Sequence, residues 1–109
     1  MARGILYVAT YPTTPEQADE FNRWYDEVHL PEIVALPGYV SARRFAPRTE
    51  GAPYIALYEM ESDDLQKTAD DMMAMAGRGE FTMSETLQTD PPSVAHVWHE
   101  ITSYAPEQQ

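Results

Sequence analysis

Side chains able to move or hold a proton near neutral pH are few here: three histidines, seven tyrosines and the adjacent arginines Arg43 and Arg44. His29 stands out among them. It lies one helical turn after Tyr25 and three residues after Asp26, just before Pro31, at an expected helix end. There the helix dipole favours imidazolium, and Asp26 or Glu32 could orient the ring. Its chemical reading is a general acid or base, or a donor to a substrate carbonyl. Its structural reading is a histidine that caps the helix and anchors the next turn. Tyr25 is its nearest hydroxyl in sequence, and in an arginine pair on a strand one side chain must turn inward. The inward one needs a carboxylate, such as Glu100 or Asp26, or an anionic ligand. Arg43, which alternates with Tyr39 and Phe45, is expected to be that arginine. His96 and His99 are three residues apart in a strand pattern, which points them to opposite faces and does not favour a metal pair.

Composition narrows the partners. The chain has 109 residues, enough for one domain, with 43% hydrophobic residues and 12 aromatics. Seven basic residues stand against 18 acidic ones, a formal charge of −11. That charge disfavours nucleic acid, whose binding depends on basic side chains displacing counterions, and it disfavours an anionic membrane surface. The absence of cysteine rules out disulfides, thiolate catalysis and Cys-based metal centres. The early apolar run Ile5 to Ala9 is too short for a span or a signal-peptide core. These features predict a cytoplasmic protein.

The elements follow from periodicity. Residues 4–11 read as a strand stopped by Pro12. Thr14, Pro15 and Gln17 have the form of a helix start with a capping box. Ala18, Phe21, Tyr25 and Val28 then recur at helical spacing, with Pro31 expected to break or redirect the helix near His29. PEIVAL forms a further short turn before Pro37-Gly38. Residues 39–46 and 53–61 read as a hairpin across the loop Pro47 to Ala52. Ser62 is placed to cap a second helix, whose stripe is Leu65, Ala69, Met72, Met73 and Ala76, ended by Gly77. Residues 78–93 read as a long loop with a helical turn near 83–87, and residues 94–103 as a last strand. The order β-α-β-β-α-β predicts an α+β ferredoxin-like sandwich over residues 1–105, with a frayed tail at 106–109.

Sorted by alternation, one sheet face is aliphatic (Leu6, Val8, Ala42, Leu57, Val97) and the other aromatic and polar (Tyr7, Tyr54, Tyr58, His96, Trp98). Helices cover only one face, and neither set reads as a solvated surface, so a homodimer packed sheet against sheet is expected. The aromatic set beneath the helices would enclose a space with apolar walls and a few polar groups, as a small hydrophobic ligand requires. Phe21 and Met72, from the helices, join Tyr7, Tyr54, Tyr58, His96 and Trp98 as its expected lining.

The stretch FNRWYDEVHLPEIVALPGYVSARRFAP, residues 21–47, resembles the signature of EthD-like proteins in the dimeric α/β-barrel superfamily. IALYEMES, residues 55–62, is similar to the third strand and second-helix start of that group, and the resemblance covers most of the chain except 78–93. It implies the fold and the dimer. It also implies a histidine at the place of His29, in the pattern WY-x-x-x-H-x-P. Families of this shape include cofactor-independent monooxygenases, polyketide cyclases, isomerases and heme-handling proteins, so shape does not fix chemistry. The strand histidines of olivetolic-acid-type cyclases are not matched: Ile5 and Tyr54 stand there. The resulting expectation is an enzyme without a cofactor or metal, using enolate-type chemistry on an aromatic or polyketide-like carbonyl compound. His29, Tyr25 and Arg43 would carry it. The alternatives are a non-catalytic carrier of a small hydrophobic ligand and, further off, a heme- or metal-linked protein.

Overall fold

A computed structural model describes residues 1–106. Strand β1 (Ala2–Thr10) is followed by a 3-10 turn (Pro15–Gln17), α1 (Ala18–Trp24), a π-helical turn (Tyr25–His29) and α2 (Leu30–Val34). Strands β2 (Tyr39–Phe45) and β3 (Tyr54–Ser62) form the hairpin, and α3 (Leu65–Gly77) and β4 (Val94–His99) complete the chain. The sheet order is β2-β3-β1-β4, all antiparallel. This is the expected α+β sandwich, with both helical runs packed on one face of the sheet. Among the described residues no helix is long and apolar enough to cross a membrane. The tail expected to fray lies, from residue 107 onward, outside the described residues.

Helix starts and stops differ in detail from expectation. The cap of α3 is Asp64, whose carboxylate accepts from the Lys67 N–H at 3.0 Å; Ser62 ends β3 instead. At the first helix the Thr14 hydroxyl turns to the Gln17 side chain rather than to a backbone N–H, so the capping box does not form. On α3 the buried stripe is Leu65, Ala69 and Met72, with Met75 against the core and Met73 about half exposed. Strand β4 ends at His99, and residues 83–87 make a turn without a helix.

Pro31 neither breaks nor ends the helical run. A proline cannot donate to the carbonyl four residues back, and its ring crowds that carbonyl. The chain absorbs this by widening: the Leu30 N–H reaches the Tyr25 carbonyl five residues back, and helix continues to Val34. Tyr25 and His29 therefore open and close one π turn.

Register decides the two faces of the sheet. Leu6 pairs with Tyr58 and Val97, while Tyr7 pairs with Leu57 and His96, and Ile5 with Trp98. In β2 a bulge at Val40 sets Tyr39 opposite Met60 and Ser41 opposite Glu59, which exchanges the faces of every later residue. The helix-covered face thus carries Leu6, Tyr39, Ala42, Arg44, Tyr54, Tyr58, Met60 and Val97. The open face carries Ile5, Tyr7, Arg43, Phe45, Leu57, His96 and Trp98. Aliphatic and aromatic residues are mixed on both, so the expected split by chemistry is incorrect. Close packing on the covered side also explains Gly4: a Cβ there would stand 2.6 Å from the Leu65 Cδ1 and 2.2 Å from the Trp98 carbonyl oxygen.

Candidate functional site

Tyr25 is the centre of a cluster drawn from four elements. It is 2% exposed, held between the helical run and the sheet by edge contacts to Phe21 at 5.5 Å and Trp24 at 5.3 Å. The His29 ring meets it edge-on at 5.0 Å and stacks on Trp24 at 4.7 Å. Phe81, from the loop between α3 and β4, stands edge-on to His29 at 6.4 Å. From the sheet, the Arg44 guanidinium lies 4.3 Å from the Tyr25 ring centre, and the Tyr58 side chain is 1% exposed.

Three polar atoms in this cluster are buried and have no hydrogen-bond partner: His29 Nδ1, Tyr58 Oη and Arg44 Nε. An unmet buried donor or acceptor costs about 1–3 kcal/mol, and folded proteins rarely leave one. Arg44 Nη1 is paired with Asp26 Oδ1 at 2.9 Å, and Nη2 donates to Asn22 Oδ1 at 2.8 Å. Asp26 therefore serves Arg44 and not His29. Glu32 is likewise occupied, accepting from the Thr82 N–H at 3.0 Å and the Thr82 hydroxyl at 3.2 Å.

Electrostatics follow from burial. The His29 imidazole is lowered from 6.5 to about 4, first by desolvation, with the Glu32 carboxylate opposing and Arg44 adding to the depression. At neutral pH it is the uncharged base, not the imidazolium expected at a helix end. The helix does not end there, so its dipole offers no help. Burial pushes the Tyr25 phenol up, against the lowering influence of the Tyr58 hydroxyl and Arg44. Tyr58 is pushed far above the ordinary phenol range, by burial and then by the adjacent Tyr25.

Of the residues expected at the site, the structure brings together His29, Tyr25, Phe21, Tyr54 and Tyr58. Arg43 belongs to the opposite face, where its guanidinium lies 5.1 Å from the Phe45 ring, and the inward arginine is Arg44. Tyr7, His96 and Trp98 are also on the open face, in a row with ring separations of 6.2 and 6.1 Å. Register, not composition, removes all four from the helix-covered site. Met72 is buried on α3 and borders a separate cleft with Leu36, Tyr39 and Met75. Sequence reasoning missed Arg44, although the inward-arginine rule identified the pair and Asp26 as one of two partners. It also missed the π turn, for which Pro31 within an unbroken apolar period was the available signal.

The enclosed space expected beneath the helices is occupied by the rings themselves. Among the described residues, clefts of about 200–470 Å3 lie elsewhere. One of them, about 430 Å3, opens at the end of the sheet against Tyr54, with Tyr11, Pro12, Pro15, Ala18 and Ala52 among its walls. Tyr54 in turn touches Phe21 at 5.4 Å and faces Arg44 at 5.7 Å.

Solved structures share this arrangement of elements. The fold is ferredoxin-like. A protein of Shewanella loihica PV-4 assigned as a monooxygenase superposes with a TM-score of 0.60 at 16% identity, over 94% of this chain and 99% of that one. A monooxygenase of Streptomyces coelicolor, from the gene ActVA-Orf6, in complex with the ligand nanaomycin D, gives 0.55 at 19% identity over 95% and 93%. A dimeric ferredoxin-like protein from an uncultured marine organism gives 0.57 at 11% identity over 98% and 95%. No protein-family model and no curated protein matches the chain.

Proposed function

We propose that the chain is a cofactor-independent enzyme of the monooxygenase type, EthD-like in its first helix, acting on a hydrophobic aromatic carbonyl compound or its enol. One observation carries this reading: three unmet buried polar atoms, of His29, Tyr58 and Arg44, gather around Tyr25. A neutral imidazole takes the substrate proton, Tyr25 positions it, and a guanidinium steadies the enolate that results. The likeness to two proteins described as monooxygenases supports the oxygen-using form of this chemistry. In that form an enolate carbon beside the ring supplies the electrons. Its CH2 becomes a carbonyl, one oxygen atom entering the product and the other leaving as water. A two-helix sandwich leaves the far side of its sheet bare, and here it exposes Trp98 by 55%, Val94 by 50% and Phe45 by 39%. A second copy packed sheet against sheet would cover them, which the dimeric neighbour supports.

The test is oxygen uptake with a panel of polycyclic phenols and enolisable aryl ketones, without added cofactor. Uptake by the native protein, reduced at least 100-fold in His29→Gln, is the expected result, within the usual range for loss of a general base. A His29→Gln variant that turns over an accepted substrate at the native rate removes His29 from the mechanism.

A further inference from the structure

Pro31 lies exposed on the helical run, two residues after the imidazole of the cluster. The side chains that this run turns inward are Phe21, Tyr25, His29 and Ile33, each four places after the last, and both end residues are 0% exposed. An α-helix advances by about 100° per residue, so a spacing of four drifts by about 40° at every step. Along an unbroken α-helix Phe21 and Ile33 would stand about 120° apart, at the two edges of the stripe a helix can bury, and neither would be fully sealed. A π turn takes in one extra residue and so takes back about 100°, which returns Ile33 to within about 20° of Phe21. That turn runs from Tyr25 to His29, with the Leu30 N–H on the Tyr25 carbonyl. Regular helix then resumes at the proline, whose carbonyl accepts from the Ala35 N–H at 3.2 Å.

An α-helical turn here would need an N–H at residue 31 to meet the Glu27 carbonyl. Proline has none, and its ring crowds that same carbonyl. With an alanine in its place both obstacles go, and the regular turn becomes the favoured one, since π turns are rare and alanine is the best helix former. We infer that Pro31 is the positioning residue of His29: it holds the π turn that sets the imidazole against Trp24, Tyr25 and Phe81. Its effect on turnover rests on the reading of this cluster as the reactive site; its effect on the ring does not.

The test is NMR on the isotopically labelled, full-length protein. In the native protein, scalar coupling across the hydrogen bond should join the Leu30 nitrogen to the Tyr25 carbonyl carbon. Coupling to the Asp26 carbonyl instead means a plain α turn, and overturns the inference without any variant. In Pro31→Ala the coupling should move to Asp26. The His29 midpoint should then rise by at least one pH unit from its native value near 4, because burial is the chief cause of its depression. Pro37→Ala, at an exposed proline beyond α2, relaxes the unfolded chain in the same way and should leave the midpoint in place. A proline that only stiffens the chain would change stability and nothing else, so Pro31→Ala with coupling and midpoint both unmoved overturns the inference. Oxygen uptake by the native protein should fall at least 10-fold in Pro31→Ala. A moved midpoint with undiminished uptake would overturn the earlier reading alone, and an unmoved midpoint with uptake that still requires His29 would overturn this inference alone.

Discussion

The guanidinium of Arg44 lies 4.3 Å from the centre of the Tyr25 ring, while Arg43, its neighbour in the chain, lies on the other side of the sheet over Phe45. One strand residue thus separates a buried cation in the candidate site from an exposed one outside it. The consequence is measurable as stability. Asp26→Ala leaves a largely buried guanidinium with one nitrogen more unmet, and should cost about 1–3 kcal/mol by denaturant unfolding. Glu20→Ala, which breaks the exposed pair with Arg23, should cost under about 0.5 kcal/mol.

Acid should weaken the fold through His29. Its folded-state value is about 4 against 6.5 when unfolded, so between those values the unfolded chain binds a proton that the folded one refuses. Its stabilising share is complete above pH 6.5 and is lost as the pH falls toward 4, by an amount on the order of 3 kcal/mol at most. Denaturant midpoints at pH 7 and pH 5 should converge in His29→Gln relative to the native protein.

Three of the tyrosines should resist alkaline titration. Burial raises Tyr25 and Tyr58 and pushes Tyr39 up to about 12, where the Asp71 carboxylate adds to the shift. For a raised phenol the folded state keeps its proton while the unfolded chain loses it, so stability falls as the pH climbs past 10. Absorbance at alkaline pH should show the phenolates of Tyr25, Tyr39 and Tyr58 appearing only as the protein unfolds.

Thr82 fastens the first part of the loop after α3, whose later residues Glu85, Thr86 and Gln88 are held by Thr13 and Tyr11. Thr82 receives Trp24 Nε1–H at its carbonyl, 2.8 Å, and gives its own N–H and hydroxyl to Glu32, while the adjacent Phe81 covers His29. Trp24→Phe and Glu32→Gln should each cost about 1 kcal/mol. Hydrogen exchange should quicken across residues 80–87 more than in the sheet.

Much of the fold could be read from periodicity because helices and strands impose different spacings on apolar residues. The β-α-β-β-α-β order, the hairpin and the α3 stripe through Leu65, Ala69 and Met72 all came from that source. His29, Tyr25, Phe21, Tyr54 and Tyr58 were also recognisable as candidates by type and position. Face assignment was not. Alternation fixes which residues of one strand share a side, but the bulge at Val40 and the pairing of Leu6 with Tyr58 are tertiary facts. A one-residue exchange in β2 was enough to swap Arg43 for Arg44, and an independent register put Tyr7, His96 and Trp98 on the open side. The π turn escaped notice for a related reason: Pro31 forbids a regular helix but does not say whether the chain stops or widens.

The open face offers its own test. Trp98→Glu sets a charge in the middle of the proposed sheet-to-sheet contact and should convert a dimer to a monomer in sedimentation, with the secondary structure retained. A native protein that sediments as a monomer contradicts the pairing.

The most direct measurement on the central claim is the imidazole resonance of His29, followed by NMR through an acid titration with and without 2-naphthol. A largely buried neutral base whose Nδ1 has no partner predicts a midpoint near pH 4 and, if the cluster is the reactive site, a clear shift when the phenol binds. A midpoint near 6.5 that ignores the ligand would mean that His29 is an ordinary solvated histidine, and that the cluster around Tyr25 is packing alone.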